Sequence, residues 1–151
     1  MALLIPELKR RGLAVAVVKH CGHGFDLGGP DKDSSKFLAA GAEGVALAGP
    51  DRTAVLRPAG RGMSLGALAR TEFAGADIVL VEGGKSDPAL RKIEVLRPGV
   101  SKGLMTPPEE LAAIVADRPI ADAGVPHFSP DQVAEIADWL AGTRAKGGRR
   151  P

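Results

Sequence analysis

Asp77-Ile-Val-Leu-Val-Glu82-Gly83-Gly84 is the stretch that decides the fold. Its apolar run is too short for a helix and rich in β-branched residues, the clearest strand in the chain. It is apolar until it delivers a carboxylate and two glycines at its C-terminal end. Ala14-Val-Ala-Val-Val-Lys19 repeats the design upstream, ending in a charge and then His20. In an open α/β sheet, loops beyond the carboxyl ends of strands surround ligands without disturbing the core. Both clusters of chemistry in this chain stand at such ends.

Helical patterns alternate with these strands. Ala2 to Arg11 places Leu4 and Leu8 on one face and stops at Gly12, a residue suited to left-handed backbone. Ser34 to Ala40 predicts a short helix closed by Gly41, and Leu65 to Phe73 another, capped by Ser64 and closed near Gly75. Gly44 to Ala48 and Thr53 to Leu56, separated by Pro50, predict a hairpin. Lys92-Ile-Glu-Val-Leu-Arg97 alternates and should carry one polar face. Thr106-Pro-Pro-Glu109 has the form of a helix capping box, whereas Ala112 to Ala116 reads as a buried strand after a brief turn; the strand reading is preferred. Val125 to Phe128 is a short edge segment. A last helix follows, with Ser129 as cap, Pro130 in its first turn, Gln132 completing a capping box, and Val133, Ile136, Ala137 and Leu140 as an apolar stripe. Strands alternating with helices give a layered α/β fold, mostly parallel, with a possible hairpin extension.

Bulk properties narrow the function. A chain of 151 residues that is 44% hydrophobic buries one sizeable core. Its formal charge is +2, but Arg144, Lys146, Arg149 and Arg150 cluster at the C-terminus; without them sixteen basic face eighteen acidic residues. The expected division is a domain over residues 1–142 and a basic disordered tail over 143–151, and nucleic-acid binding gains little support. The single cysteine, Cys21, excludes an intramolecular disulfide framework and fits a reducing compartment, the cytoplasm. No apolar run is long enough to span a bilayer, and the N-terminal charge follows its apolar stretch, the reverse of a secretory signal.

The first cluster is the loop Lys19-His-Cys-Gly-His-Gly-Phe-Asp-Leu-Gly-Gly-Pro-Asp-Lys-Asp-Ser34. Its glycines let backbone amides approach an anion, Lys19 and Lys32 offset phosphate charge, and Asp26 or Asp33 can hold Mg²⁺ through oxygen. A solvated loop is the plainer alternative. His20, Cys21 and His23 are zinc-ligand types, but no second cluster completes a site, and nothing supplies Cys21 with the base a nucleophile needs. The second cluster, Glu82-Gly-Gly-Lys-Ser86, imitates the end of a Walker A loop, yet the required earlier glycine falls on Val79. Two readings remain: a Walker-B-like acid beside a nucleotide's Mg²⁺ or its attacking water, or a strand-end acid bonded to neighbouring amides.

Taken in order, Arg11-Gly12, Lys19-His20, His23, Phe25-Asp26, Lys32-Asp33-Ser34, Ala40-Gly41-Ala42, Asp77 through Glu82-Gly83, and Lys92-Ile-Glu-Val-Leu-Arg97 resemble the MobB proteins of molybdenum cofactor biosynthesis. The likeness spans roughly residues 2 to 140. It implies a three-layer P-loop nucleoside triphosphatase-like sheet with helices on both faces, GTP with Mg²⁺ as ligand, homodimerisation, and support of a MobA-type guanylyltransferase that attaches GMP to molybdopterin. By this likeness Lys19, His20, His23, Asp26, Lys32, Asp33 and Ser34 line the nucleotide or molybdopterin side. Glu82 and Gly83 lie near Mg²⁺ and the γ-phosphate, with Glu82 the catalytic acid, Asp33 and Glu82 the metal ligands, and Asp117 the guanine reader. Family members open with a strand and a Gly-rich loop ending Gly-Lys-Thr, and Met1 falls about where that loop ends. Weak GTP affinity is therefore expected of this stretch alone, and a non-hydrolysing binding module for MobA, cofactor or client molybdoenzyme is the alternative. Gly28, Asp31 and Gly84 depart from the family pattern.

Overall fold

A computed structural model describes residues 1–25, 29, 31–58, 63–101, 103–120 and 123–147, the side chains of 144–147 excepted. The elements run α1 (Leu4–Arg10), β1 (Val15–Lys19), α2 (Asp33–Ala39), β2 (Val45–Ala48), β3 (Thr53–Leu56), α3 (Leu65–Glu72), β4 (Ile78–Glu82), β5 (Lys92–Val95), β6 (Leu111–Val115), β7 (His127–Phe128) and α4 (Val133–Gly147). They fall into two compact units, Met1–His20 with Ser64–Pro151, and Cys21–Met63.

In the first unit the stop at Gly12 is a Schellman closure. Gly12 has φ +76°, its N–H donates to Lys9 O at 2.9 Å, and the Leu13 N–H donates to Leu8 O at 3.3 Å. The chain is thereby turned into β1, which pairs parallel with β4 from Val15↔Ile78 to Lys19↔Glu82. Asp77 sets that register. Its backbone N–H donates to Ala14 O at 2.7 Å, while its carboxylate accepts the Ala14 N–H at 2.8 Å. β5, β6 and β7 form a second parallel sheet in that order, with a register shift between Lys92 and Ile93. The parallel pairing expected from the sequence is present, hydrogen-bonded as two groups of strands.

The core follows apolar content. Leu111-Ala-Ala-Ile-Val115 is buried along its whole length, and Leu111, Ile114 and Ala116 pack with Leu96, Ile120, Ala123 and Val125. The preferred strand reading of this ambiguous segment therefore holds. Leu8 of α1 and Ala137 of α4 are fully buried where these two helices pack. Arg11 ties them together, donating to Asp138 Oδ1 at 2.7 Å, Ala134 O at 2.9 Å and Glu7 Oε2 at 2.9 Å.

Two local expectations are modified. The alternation of β5 does give a polar face, but Lys92 and Glu94 are half-buried on it rather than solvated. Lys92 pairs with Glu110, and Glu94 accepts the backbone N–H groups of Met105 and Thr106, each at 2.8 Å. At the last helix, Gln132 completes its half of the capping box by accepting the Ser129 N–H at 2.8 Å, but the Ser129 hydroxyl turns to Asp131. Residues 129–132 consequently form a separate turn, and α4 starts at Val133. The helix continues to Gly147, into the stretch expected as a tail, and 148–151 lie outside the described residues.

The second unit holds α2 and an antiparallel β2–β3 hairpin paired from Val45↔Leu56 to Ala48↔Thr53, as the sequence predicts. Gly41, φ +101°, closes α2 as Gly12 closes α1, with Ala42 N donating to Phe37 O at 3.1 Å. No described helix is long and apolar enough to cross a membrane.

Candidate functional site

Lys19 and Glu82 are register partners on the last rung of the β1–β4 ladder. Residues paired across a sheet present their side chains to the same face, so the ammonium and carboxylate that end the two strands meet, Nζ to Oε2, at 3.0 Å. Their side chains are 64% and 56% exposed. In that high-dielectric setting the pair contributes about 0–1 kcal/mol to stability, and both groups stay accessible to a ligand.

Backbone geometry holds the rung. The His20 N–H donates to Glu82 O at 2.9 Å, carrying the ladder one step beyond Lys19. Gly83 then takes φ +85° and Gly84 φ +70°, a left-handed region costly for residues with a Cβ. A methyl group on Gly83 would stand 3.1 Å from His20 Cβ, and one on Gly84 would press into Leu65 Cδ1. This close passage needs glycine at both positions, which is the physical reason for Gly83-Gly84 after the acid. Downstream, the Asp87 carboxylate accepts the N–H groups of Ala89 at 3.0 Å and Gly66 at 3.3 Å. The Ala89 N–H, with smaller help from Gly66, Leu65 and Lys92, holds that carboxyl below its ordinary value against the effect of desolvation.

Four of the residues singled out from the sequence are thus brought together: Lys19, His20, Glu82 and Gly83. Asp117 follows β6 as an exposed residue. In the second unit, Lys32 has the extended backbone of a helix cap, φ −74° and ψ 145°, without a side-chain cap bond. Asp33 opens α2, and Ser34 is half-buried in its first turn. His23 is exposed in a turn closed by Gly24 N–H to Cys21 O at 2.9 Å. Asp26 lies outside the described residues. Among the described residues no group of three or more His, Cys, Asp or Glu side chains converges to hold a metal.

Sequence reasoning gave Lys19 and Glu82 separate tasks and missed that they pair. The signal was available: each is the last residue of an apolar strand, and two such strands paired in parallel with their ends level must oppose them. It also missed Asp87, whose role depends on the fold of the 83–90 turn. Beside this turn, an open apolar groove of about 490 Å³ runs between α3 and β4, bordered by Ala69, Phe73, Ile78, Val79, Val81 and Leu90.

Parallel strands alternating with helices, and delivering Lys19 and Glu82-Gly83 at neighbouring carboxyl ends, define an α/β protein with a ligand-facing edge there, and the likenesses that follow place its fold in the P-loop nucleoside triphosphatase-like class. Residues 1–117 match the family described as molybdopterin guanine dinucleotide synthesis protein B. The chain is 32% identical over 138 residues to the molybdopterin-guanine dinucleotide biosynthesis adapter protein of Haemophilus influenzae, covering 91% of this chain and 76% of that one. It is 33% identical over 146 residues to the Escherichia coli protein of the same name, covering 91% and 80%. A crystal structure of molybdopterin-guanine biosynthesis protein B superposes with TM-score 0.68 at 27% identity over 95% of this chain and 88% of that one. The MobB homologue of Bacillus stearothermophilus shares the fold at TM-score 0.61 and 20% identity, over 97% and 88% of the two chains. The chain belongs to the MobB family of molybdopterin guanine dinucleotide biosynthesis.

Proposed function

We propose that this chain is an adapter in the attachment of GMP to molybdopterin, acting beside a MobA-type guanylyltransferase in the cytoplasm as a homodimer and holding GTP with Mg²⁺ at the carboxyl ends of β1 and β4. The observation that supports this reading is the rung itself: an ammonium, a carboxylate and an imidazole-bearing residue meet a double-glycine turn at adjacent parallel strand ends. The related proteins carry the name adapter.

The donor set defines what fits. One carboxylate and no converging cluster among the described residues does not satisfy the six oxygens that Mg²⁺ requires, so the metal must arrive with nucleotide phosphates and waters supplying the rest. In that arrangement Glu82 holds the hydrated metal, Lys19 and His20 face phosphate or molybdopterin, and Gly83 keeps the backbone close without side-chain obstruction. Bound Mg²⁺ would supply neutralisation of phosphate charge. Asp117 is the proposed guanine reader. Lys32, Asp33 and Ser34 at the start of α2, with His23 and Asp26 in the loop before it, are assigned to the nucleotide or molybdopterin, and Asp33 also to Mg²⁺.

Calorimetric titration with GTP and ATP, with and without Mg²⁺, tests the proposal. Binding that requires Mg²⁺, prefers guanine and falls about tenfold or more in Glu82→Gln is expected; adenine binding equal to guanine, or Glu82→Gln unchanged, overturns it. The ion pair on Glu82 favours the second reading on one point: Lys19 Nζ occupies Glu82 Oε2 at 3.0 Å, the position an attacking water would need, which suits binding without hydrolysis. Negligible phosphate release under saturating Mg²⁺-GTP is the corresponding result.

A further inference from the structure

We propose that Arg97 shares the reading of the guanine base with Asp117, its guanidinium donating to the O6 and N7 edge while the carboxylate accepts from the N1 and N2 edge. This rests on the proposed role of Asp117 and adds a second specificity-determining residue beside it.

Strand register carries the pairing. β5 and β6 run parallel with Val95 opposite Val115, and the Leu96 N–H completes that rung by donating to Val115 O at 2.9 Å. The same count two residues on sets Arg97 against Asp117 at neighbouring carboxyl ends, where a parallel sheet receives ligands. Both backbones are anchored there. Ser101 Oγ accepts the Arg97 N–H at 3.0 Å, the Arg97 carbonyl accepts the N–H groups of Val100 at 3.2 Å and Ser101 at 3.0 Å, and Leu96 packs against the core cluster. On the other strand Leu111 to Ala116 are buried, the Ala116 N–H donates to Phe128 O at 2.9 Å, and Asp117 is the first exposed residue. Unlike Lys19 and Glu82, these two side chains do not close on each other. Among the described residues neither makes an ion pair or a side-chain hydrogen bond, so both heads stay open to a ligand. Neighbouring strands stand ~4.8 Å apart, the order of the separation between the two edges of one guanine ring system. Guanine offers acceptors at O6 and N7, which suit the forked donors of a guanidinium, and donors at N1 and N2, which suit a carboxylate. Adenine places an amino group where guanine has O6, so the same arginine opposes it.

Calorimetric titration of the full chain with the Mg²⁺ complexes of GTP, ATP and two guanine analogues is the test. The 7-deaza analogue of GTP lacks the N7 acceptor, and inosine triphosphate lacks the 2-amino donor. The parent should bind the 7-deaza analogue roughly fivefold or more weakly than GTP, and Arg97→Met should abolish that difference while keeping the penalty on inosine triphosphate, which belongs to Asp117. Asp117→Ala should do the converse, losing the inosine penalty and keeping the 7-deaza one. A merely structural role for Arg97 would weaken every nucleotide alike. Equal affinity of the parent for GTP and its 7-deaza analogue, a 7-deaza penalty that survives in Arg97→Met, or a uniform loss of all nucleotides in that variant overturns the assignment while leaving the guanine reading in place. A parent that binds ATP as well as GTP, or binds neither, overturns the guanine reading itself and the role of Arg97 with it.

Discussion

The two compact units hold their shape by different means. In the unit formed by Met1–His20 and Ser64–Pro151, β6 is buried end to end and Leu8, Ile114 and Ala137 are fully enclosed. In Cys21–Met63, none of the described residues reaches that degree of burial: Phe25, Phe37, Leu47, Val55 and Met63 are all exposed, and α2 buries no residue. One unit is an ordinary core with a charged rung at its strand ends. The other is a short helix and a hairpin of four-residue strands, an assembly that is marginal without further packing. The difference teaches where substitutions are felt as stability and where they are felt only through binding.

The largest effect is expected in the core. Ile114 is 0% exposed and belongs to the cluster with Leu111 and Ala116; Ile114→Ala should cost about 3–5 kcal/mol, because the removed carbons leave a cavity that the paired strands on both sides cannot fill. Denaturant unfolding measures it, and a cost below about 1 kcal/mol would show that β6 is not the centre of the fold. Next comes the ion pair beneath β5. Lys92 and Glu110 are only 12% and 20% exposed, and Lys92 Nζ also donates to Asp87 O at 2.9 Å and Leu90 O at 3.2 Å. Lys92→Met keeps the volume but strands a carboxylate and two carbonyls, so a loss of about 2 kcal/mol is expected, with Glu110→Gln restoring part of it in the double variant.

A smaller effect follows from Glu94. Burial alone would push its carboxyl up, but the Thr106 hydroxyl and the N–H groups of Met105 and Thr106, aided by Lys85, bring it below the ordinary 4.5. The ionised form is therefore favoured by folding. Its contribution is fully present above pH 4.5 and is lost as pH falls from there through the lower folded-state value. Glu94→Gln should flatten the acid limb of stability in that window while leaving the slope near neutrality unchanged. An unaltered acid limb would mean that the 103–106 segment does not hold this carboxylate in solution.

What was legible in the sequence is what backbone chemistry dictates locally. Gly12 and Gly41 announced left-handed helix ends, the Ile78–Val81 run announced a strand, and the 44–56 segment announced a hairpin, because each depends on residues adjacent in the chain. The ordered motifs from Arg11-Gly12 to Arg97 named the family. The pairing of Lys19 with Glu82 was less accessible because it joins residues 63 positions apart and needs the register that Asp77 and Ala14 set. The inward turn of Lys92 and Glu94 was hidden for a similar reason: alternation distinguishes two faces but not which one meets a partner such as Glu110.

The smallest effect tests the hairpin itself. Val45 pairs with Leu56 and Ala46 with Val55, which places Ala46, Ala48, Thr53 and Val55 together on one face, and all four are exposed. With Val55 64% exposed, Val55→Thr should change the stability of the isolated chain by no more than about 0.5 kcal/mol, far below Ile114→Ala. The proposed homodimer sharpens that expectation. If a second copy covers this face, the cost of Val55→Lys will rise with protein concentration and sedimentation will show a shift towards the single chain, since association stabilises only the folded form it binds. A concentration-independent loss comparable to Ile114→Ala would break the contrast instead, because a face that open has too few neighbours to account for it.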